Sequence, residues 1–187
     1  MVKWFCAVTK KDSSALFAGI FILMGICAGT VLAYAEEGQV VKISSEAIQL
    51  SIKDLSQEER ISVDELRDWQ LKKVEFVLFD ARGKKSYTTG HIQGAILPLA
   101  PEYYRQDDLF KSGIIASPPD RDRALAEGTQ RYSNETQIVT YCNRNCNAST
   151  ILLVQLKKLG FRNVKAMEGG TQVWEEKGCP MDKGISE

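Results

Sequence analysis

Residues 138–160 read IVTYCNRNCNASTILLVQLKKLG, and this stretch decides the architecture. Ile138-Val139-Thr140-Tyr141 is an apolar, β-branched run of strand length, and Cys142 follows it directly. Ser149 to Leu159 reads as a helix, closed by Gly160. A strand that passes through a short polar loop into a helix is the opening of a crossover unit. Repeated, such units build a parallel sheet with helices on both faces. In open sheets of this kind, sites form where strand carboxyl ends meet helix amino termini. The segment from Tyr141 to Ser149 stands at that place.

The neighbouring segments extend the same alternation. Val74 to Phe79 is a β-rich run ending at Asp80, and Asn163 to Met167 is another, followed by Gly169-Gly170 and a last helix holding Trp174. Ile96-Leu97-Pro98-Leu99 is a short strand candidate limited by its proline. Ser62-Val63-Asp64-Glu65 has capping-box spacing ahead of Leu66, Trp69 and Leu71, which predicts a short amphipathic helix with Trp69 and Trp174 as core anchors. From Pro101 to Gln137 the chain reads as loop, except for a helix over 121–127 opened by Pro118-Pro119-Asp120. Residues 36–60 are polar and charge-mixed, a spacer with one or two helical turns, and the domain is expected over 61–187.

Composition narrows the function. The 187 residues suit one compact domain with an appended segment, and 24 basic against 24 acidic side chains argue against dedicated nucleic-acid binding. His91 is the single histidine, which leaves no His-rich metal centre, and no metal or cofactor is implied. Five cysteines are too few for a disulfide scaffold in a chain of this length. Cys179, after Gly178, reads as an inert thiol.

The amino terminus has its own composition. Lys3, Lys10, Lys11 and Asp12 are the only charges before Glu36, and 23 uncharged residues run from Ser13 to Ala35. At about 1.5 Å per residue, a helix here just crosses a bilayer core of roughly 30 Å. A basic start, an apolar centre and Ala33-Tyr34-Ala35 before Glu36-Glu37 also match a signal peptide with a small-x-small cleavage site. Cleaved leader and uncleaved hydrophobic anchor helix both stay open. Either predicts an extracytoplasmic domain, periplasmic or secreted, with membrane association through 13–35 in the uncleaved form.

At a strand end, Cys142 is expected to face unpaired loop N–H groups and the positive end of the next helix, with Arg144 adding charge nearby. All three favour a thiolate or a persulfide anion. The plain alternative is a small buried hydrophobe. A phosphatase of the C-x5-R type is excluded, because the residue six after Cys142 is Ala148.

From Ile61 to Met181 the chain resembles the rhodanese-like (sulfurtransferase) family. The matching pieces are Asp80-Ala81-Arg82, Tyr87-x-x-Gly90-His91-Ile92-x-Gly94-Ala95 and Tyr141-Cys142 with Ser149. Leu159-Gly160-Phe161-x-Asn163-Val164 and Glu168-Gly169-Gly170 with Trp174, Gly178 and Pro180 complete the set. The resemblance implies an α/β fold with a central parallel sheet of about five strands and helices on both faces. It implies that Cys142 carries the transferred sulfur and that Asn143, Arg144, Asn145, Cys146, Asn147, Ala148 and Ser149 form the loop around it. It also implies that Asp80 and Arg82 are a supporting pair and that His91 is a positional residue, not a base. The loop departs from the common C-x-x-G-x-R-S form. Ser149 lies seven residues after Cys142, Asn145 stands at the glycine position, and Cys146 is a second thiol.

Two functions follow as expectations. In the first, a sulfane-sulfur donor such as thiosulfate or a persulfide loads Cys142, and the sulfur passes to cyanide or a small thiol. In the second, Cys142 and Cys146 form a thiol–disulfide redox or binding module without transfer.

Overall fold

A computed structural model describes residues 51–184. The leader, its cleavage or anchoring, and most of the expected spacer lie outside the described residues. Among the described residues no helix is long and apolar enough to cross a membrane.

Four parallel strands form the central sheet: β1 (Arg60–Ile61), β2 (Val77–Asp80), β4 (Ile138–Tyr141) and β5 (Val164–Met167), in the order β1-β5-β4-β2. The central strands β2 and β4 are nearly continuous apolar runs because both faces are covered, as in parallel sheets generally. Register sets Asp80 opposite Tyr141, so the ends of β2 and β4 lie side by side.

The sheet has four strands rather than about five. The expected strand at 96–99 shrinks to one parallel bridge, Phe79 to Ile96. Ile96 donates to the Leu78 carbonyl and accepts from Asp80 N–H, and Pro98, without an N–H, then ends the ladder. The run at Val74 enters the sheet only at Val77, because Val74 N–H still bonds the Trp69 carbonyl and Lys73 turns with φ 54°. A small antiparallel pair, β3 (His91–Ile92) with β6 (Met181–Asp182), was not legible beforehand.

Alternation along the strands builds two cores. Phe79, Ile138, Val164 and Ala166 face a cluster with Leu125, Leu152, Leu153 and Leu156, from α4 (Arg121–Thr129) and α5 (Ala148–Lys158). Leu78, Val139, Tyr141 and Met167 face the other side, against Leu66 of α1 (Val63–Leu71), Tyr87 of α2 (Lys84–Thr89) and Trp174 of α6 (Gly170–Glu176). Trp174 is fully buried and its indole N–H donates to the Pro180 carbonyl at 3.0 Å. Trp69 packs at the rim instead, edge-on to Phe76 at 5.7 Å.

The segment read as loop contains a full helix, α3 (Pro101–Lys111). Its sequence lacks a strong apolar stripe, and Tyr104 is its buried anchor. Pro101 opens it, and Glu102 with Arg105 and Asp107 with Lys111 pair along its surface at helical spacing. At the other end of the sequence, the serine-capped turns Ile52–Asp54 and Gln57–Glu59 lead into β1, and Leu55 between them is buried in the first core.

Candidate active site

Strand β4 delivers Cys142 to the carboxyl edge of the sheet, where only 2% of it remains exposed. The loop then folds back over the sulfur. Cys146 N–H donates to the Asn143 carbonyl at 3.2 Å, and Asn145 takes a left-handed φ of 61° at the position where the family motif has glycine. Asparagine tolerates this region better than most residues. The Cys142 thiol donates to the Cys146 carbonyl at 3.0 Å, with the Asn143 carbonyl at 3.4 Å and the Ser149 hydroxyl at 3.3 Å. Asn147 caps α5 without a side-chain bond, and Ala148 N–H points at the Cys146 sulfur, 3.4 Å away.

This resting geometry favours a thiol. Burial pushes Cys142 up to about 11, the Ser149 hydroxyl and N–H act in the opposite direction, and the neighbouring Cys146 adds a smaller upward push. Two carbonyl oxygens, not a ring of N–H groups, face the sulfur. Arg144 does not supply charge there, because its guanidinium pairs with Glu176 at 2.5 Å on the surface. The expectation of a resting thiolate is therefore corrected: helix position alone does not overcome desolvation.

Asp80 and Arg82 form a buried pair beside the loop. Arg82 Nε lies 3.0 Å from Asp80 Oδ1, and Nη2 lies 2.7 Å from Oδ2. The same guanidinium donates to the Gly90 carbonyl at 2.6 Å and to Asn143 Oδ1 at 3.4 Å. Burial opposes the charge on Arg82, but the Asp80 carboxylate outweighs it and holds the guanidinium above its usual range. Tyr141 donates its hydroxyl to Asp80 Oδ2 at 2.8 Å and accepts from Ile92 N–H at 3.2 Å, so burial and the carboxylate both raise its phenol. His91 lies flat on Tyr87 at 3.7 Å, and its Nδ1 donates to the Tyr87 carbonyl at 2.8 Å. His91 thus holds the turn after α2, and the hydrogen-bond partners of the Cys142 sulfur are other residues.

The start of α6 clamps the loop from beneath, which the sequence reading missed. Thr171 N–H bonds the Cys142 carbonyl at 3.0 Å, Thr171 hydroxyl bonds Asn143 Oδ1 at 2.9 Å, and Gln172 accepts from Arg144 N–H at 2.6 Å. The available signal was Gly169-Gly170 followed by two polar residues. Gly170 makes the approach feasible: a Cβ there would sit 2.4 Å from the Asn143 carbonyl carbon and 2.5 Å from Arg144 N, and its φ is +63°. Gly170→Ala is expected to displace the loop and destabilise the domain by about 1 kcal/mol or more. Thermal melting of the variant checks this, and a wild-type melting temperature would contradict the clamp.

A family model described as "Rhodanese-like domain" matches residues 62–177, and the chain belongs to that family. No curated protein matches it. Among solved structures, a Bacillus halodurans protein is similar at 23% identity and a TM-score of 0.51, covering 67% of this chain and 77% of its own. The rhodanese-like domain of an Anabaena protein is similar at 19% identity and the same TM-score, covering 67% and 80%. The 3-mercaptopyruvate sulfotransferase of Escherichia coli is similar at 17% identity and a TM-score of 0.51, covering 69% of this chain and 53% of its own. These likenesses show the α/β rhodanese fold. The family includes sulfurtransferases and also many inactive domains.

Proposed function

We propose that this domain is a sulfurtransferase in which Cys142 carries the sulfur. The observation that carries the reading is the position of Cys142: at the end of β4, enclosed by its own loop, with the Ser149 hydroxyl and N–H directed at its sulfur. In loading, the Cys142 thiolate attacks the outer sulfur of thiosulfate, the S–S bond of the donor breaks, and sulfite leaves with the bonding pair. A persulfide donor reacts in the same way and leaves as a thiolate. In unloading, cyanide or a small thiol attacks the outer sulfur, and the Cys142 thiolate is released. Ser149 holds the anionic sulfur in both steps, while the Asn143 and Cys146 carbonyls must turn away from it.

The test is the intact mass of the full-length protein after thiosulfate treatment. A gain of one sulfur that cyanide removes supports transfer. A loss of two hydrogens with no sulfite released, so that no sulfur was taken from the donor, supports the redox module instead, a reading favoured by the exposed Cys146 thiol in the same turn.

The raised thiol makes loading depend on pH. The reactive form is deprotonated, and the folded protein disfavours it until the pH approaches about 11. Single-turnover persulfide formation is expected to rise roughly tenfold per pH unit from pH 7 to 9. A flat profile over that range would show that the buried thiol does not limit loading.

A further inference from the structure

Two thiols share one loop turn, and the transfer chemistry uses only one of them. Cys142 is buried, while Cys146 is exposed, and the two interact directly across the turn closed by Cys146 N–H and the Asn143 carbonyl. The Cys146 carbonyl lies 3.0 Å from the Cys142 sulfur, so the second cysteine is folded back onto the first. Ala148 N–H donates to the Cys146 sulfur at 3.4 Å, which fixes that side chain at the start of α5. Arg144, between them in sequence, is turned outward onto Glu176 and does not pair with either sulfur.

We infer that Cys146 is a resolving residue that discharges the Cys142 persulfide as hydrosulfide, giving the domain a sulfide-releasing activity. This rests on the sulfurtransferase reading of Cys142. The Cys146 thiolate attacks the inner, Cys142 sulfur of the persulfide. A Cys142–Cys146 disulfide forms, the bond to the outer sulfur breaks, and hydrosulfide leaves with the electron pair. The outer sulfur is reduced to the sulfide level, and the two cysteines are oxidised to the disulfide. Reset needs an external dithiol, which is oxidised to its own disulfide as both cysteines return to thiols. Unequal burial sets the direction of that reset. The dithiol reaches the exposed Cys146 sulfur and expels Cys142, the residue that must reload.

The experiment uses the full-length protein, fully reduced, freed of thiols and treated with thiosulfate. Wild type is expected to release one equivalent of hydrosulfide per chain that loads. It should end two hydrogens lighter, with Cys142 and Cys146 joined in the peptide map. Cys146→Ser is expected to keep its added sulfur, release no hydrosulfide, and still give thiocyanate when cyanide is added. A wild-type persulfide as long-lived as that of Cys146→Ser overturns the inference. So does a persulfide recovered on Cys146 with no disulfide, which would mean attack on the outer sulfur. If neither protein takes up sulfur, the sulfurtransferase reading itself fails and the inference falls with it.

Discussion

Cys142→Ser is expected to bring thiosulfate-dependent thiocyanate formation down to the uncatalysed background, whereas Cys146→Ser keeps it. The asymmetry follows from where each sulfur sits. Cys142 ends β4, and Ser149 is directed at it by hydroxyl and N–H. A serine hydroxyl in its place cannot form a persulfide, and among the described residues no other thiol sits at the end of β4. Cys146 stands on the exposed side of the turn, and Cys179 lies near the domain end with its sulfur 3.9 Å from the Lys177 carbonyl. With cyanide in excess and no reductant, wild type should slow as successive chains close the loop disulfide, and a dithiol should restore it. Cys146→Ser should need no such rescue. The assay is thiocyanate formed per chain over time, with and without dithiol. Activity in Cys142→Ser together with none in Cys146→Ser would move the nucleophile to the second cysteine.

The parts of this fold legible in the sequence are those whose local pattern and tertiary environment agree. Ile138 to Tyr141 is β-branched, apolar and buried on both faces, so the strand sits where its pattern places it. The helix after the loop begins at Ala148, one residue before its expected start, because the loop turn and helix form one continuous reversal. The 101–111 segment was illegible for the opposite reason. Its helix is held by one buried tyrosine and by surface pairs, and neither leaves an apolar period. The strand at 96–99 failed because a single bridge to Phe79 is all that Pro98 permits.

At the site, the structure brings Cys142 against Ser149 and the Asp80–Arg82 pair against Asn143 of the same loop, residues the sequence had singled out, but the electrostatics were not legible. Strand-end position suggested a thiolate, yet the protonation state depends on which way two peptide groups turn, and they present carbonyls. The hold of Thr171 and Gln172 on the loop spans 28 residues of sequence and has no local signature beyond the preceding glycines.

Asp80→Ala is expected to be the most destabilising single change near the site, and the reason is the charge it strands. Asp80 is fully buried and the Arg82 side chain is 9% exposed. Their contact is doubled by two guanidinium bonds, and Arg82 N–H also donates to Asp80 Oδ1 at 2.9 Å. Removing the carboxylate leaves a buried cation with the Gly90 carbonyl, the Asn143 side chain and the face of the Tyr141 ring to meet it, and it takes the acceptor from the Tyr141 hydroxyl. Breaking one side of such a pair costs about 3–5 kcal/mol. For a domain of this size that lowers the melting temperature by roughly 10–20 °C. The double variant Asp80→Ala with Arg82→Met removes both charges, and apolar replacement of a buried pair is often close to neutral, so it should recover a large part of the loss. Thermal unfolding of wild type, single and double variants measures this. A single variant within about 1 kcal/mol of wild type, or a double variant less stable than the single, would show that the pair is not what holds the β2 and β4 ends together. Arg82 also reaches Asn143, so the double variant separates two roles. If it regains stability but not sulfur transfer, the guanidinium positions the loop as well as neutralising Asp80.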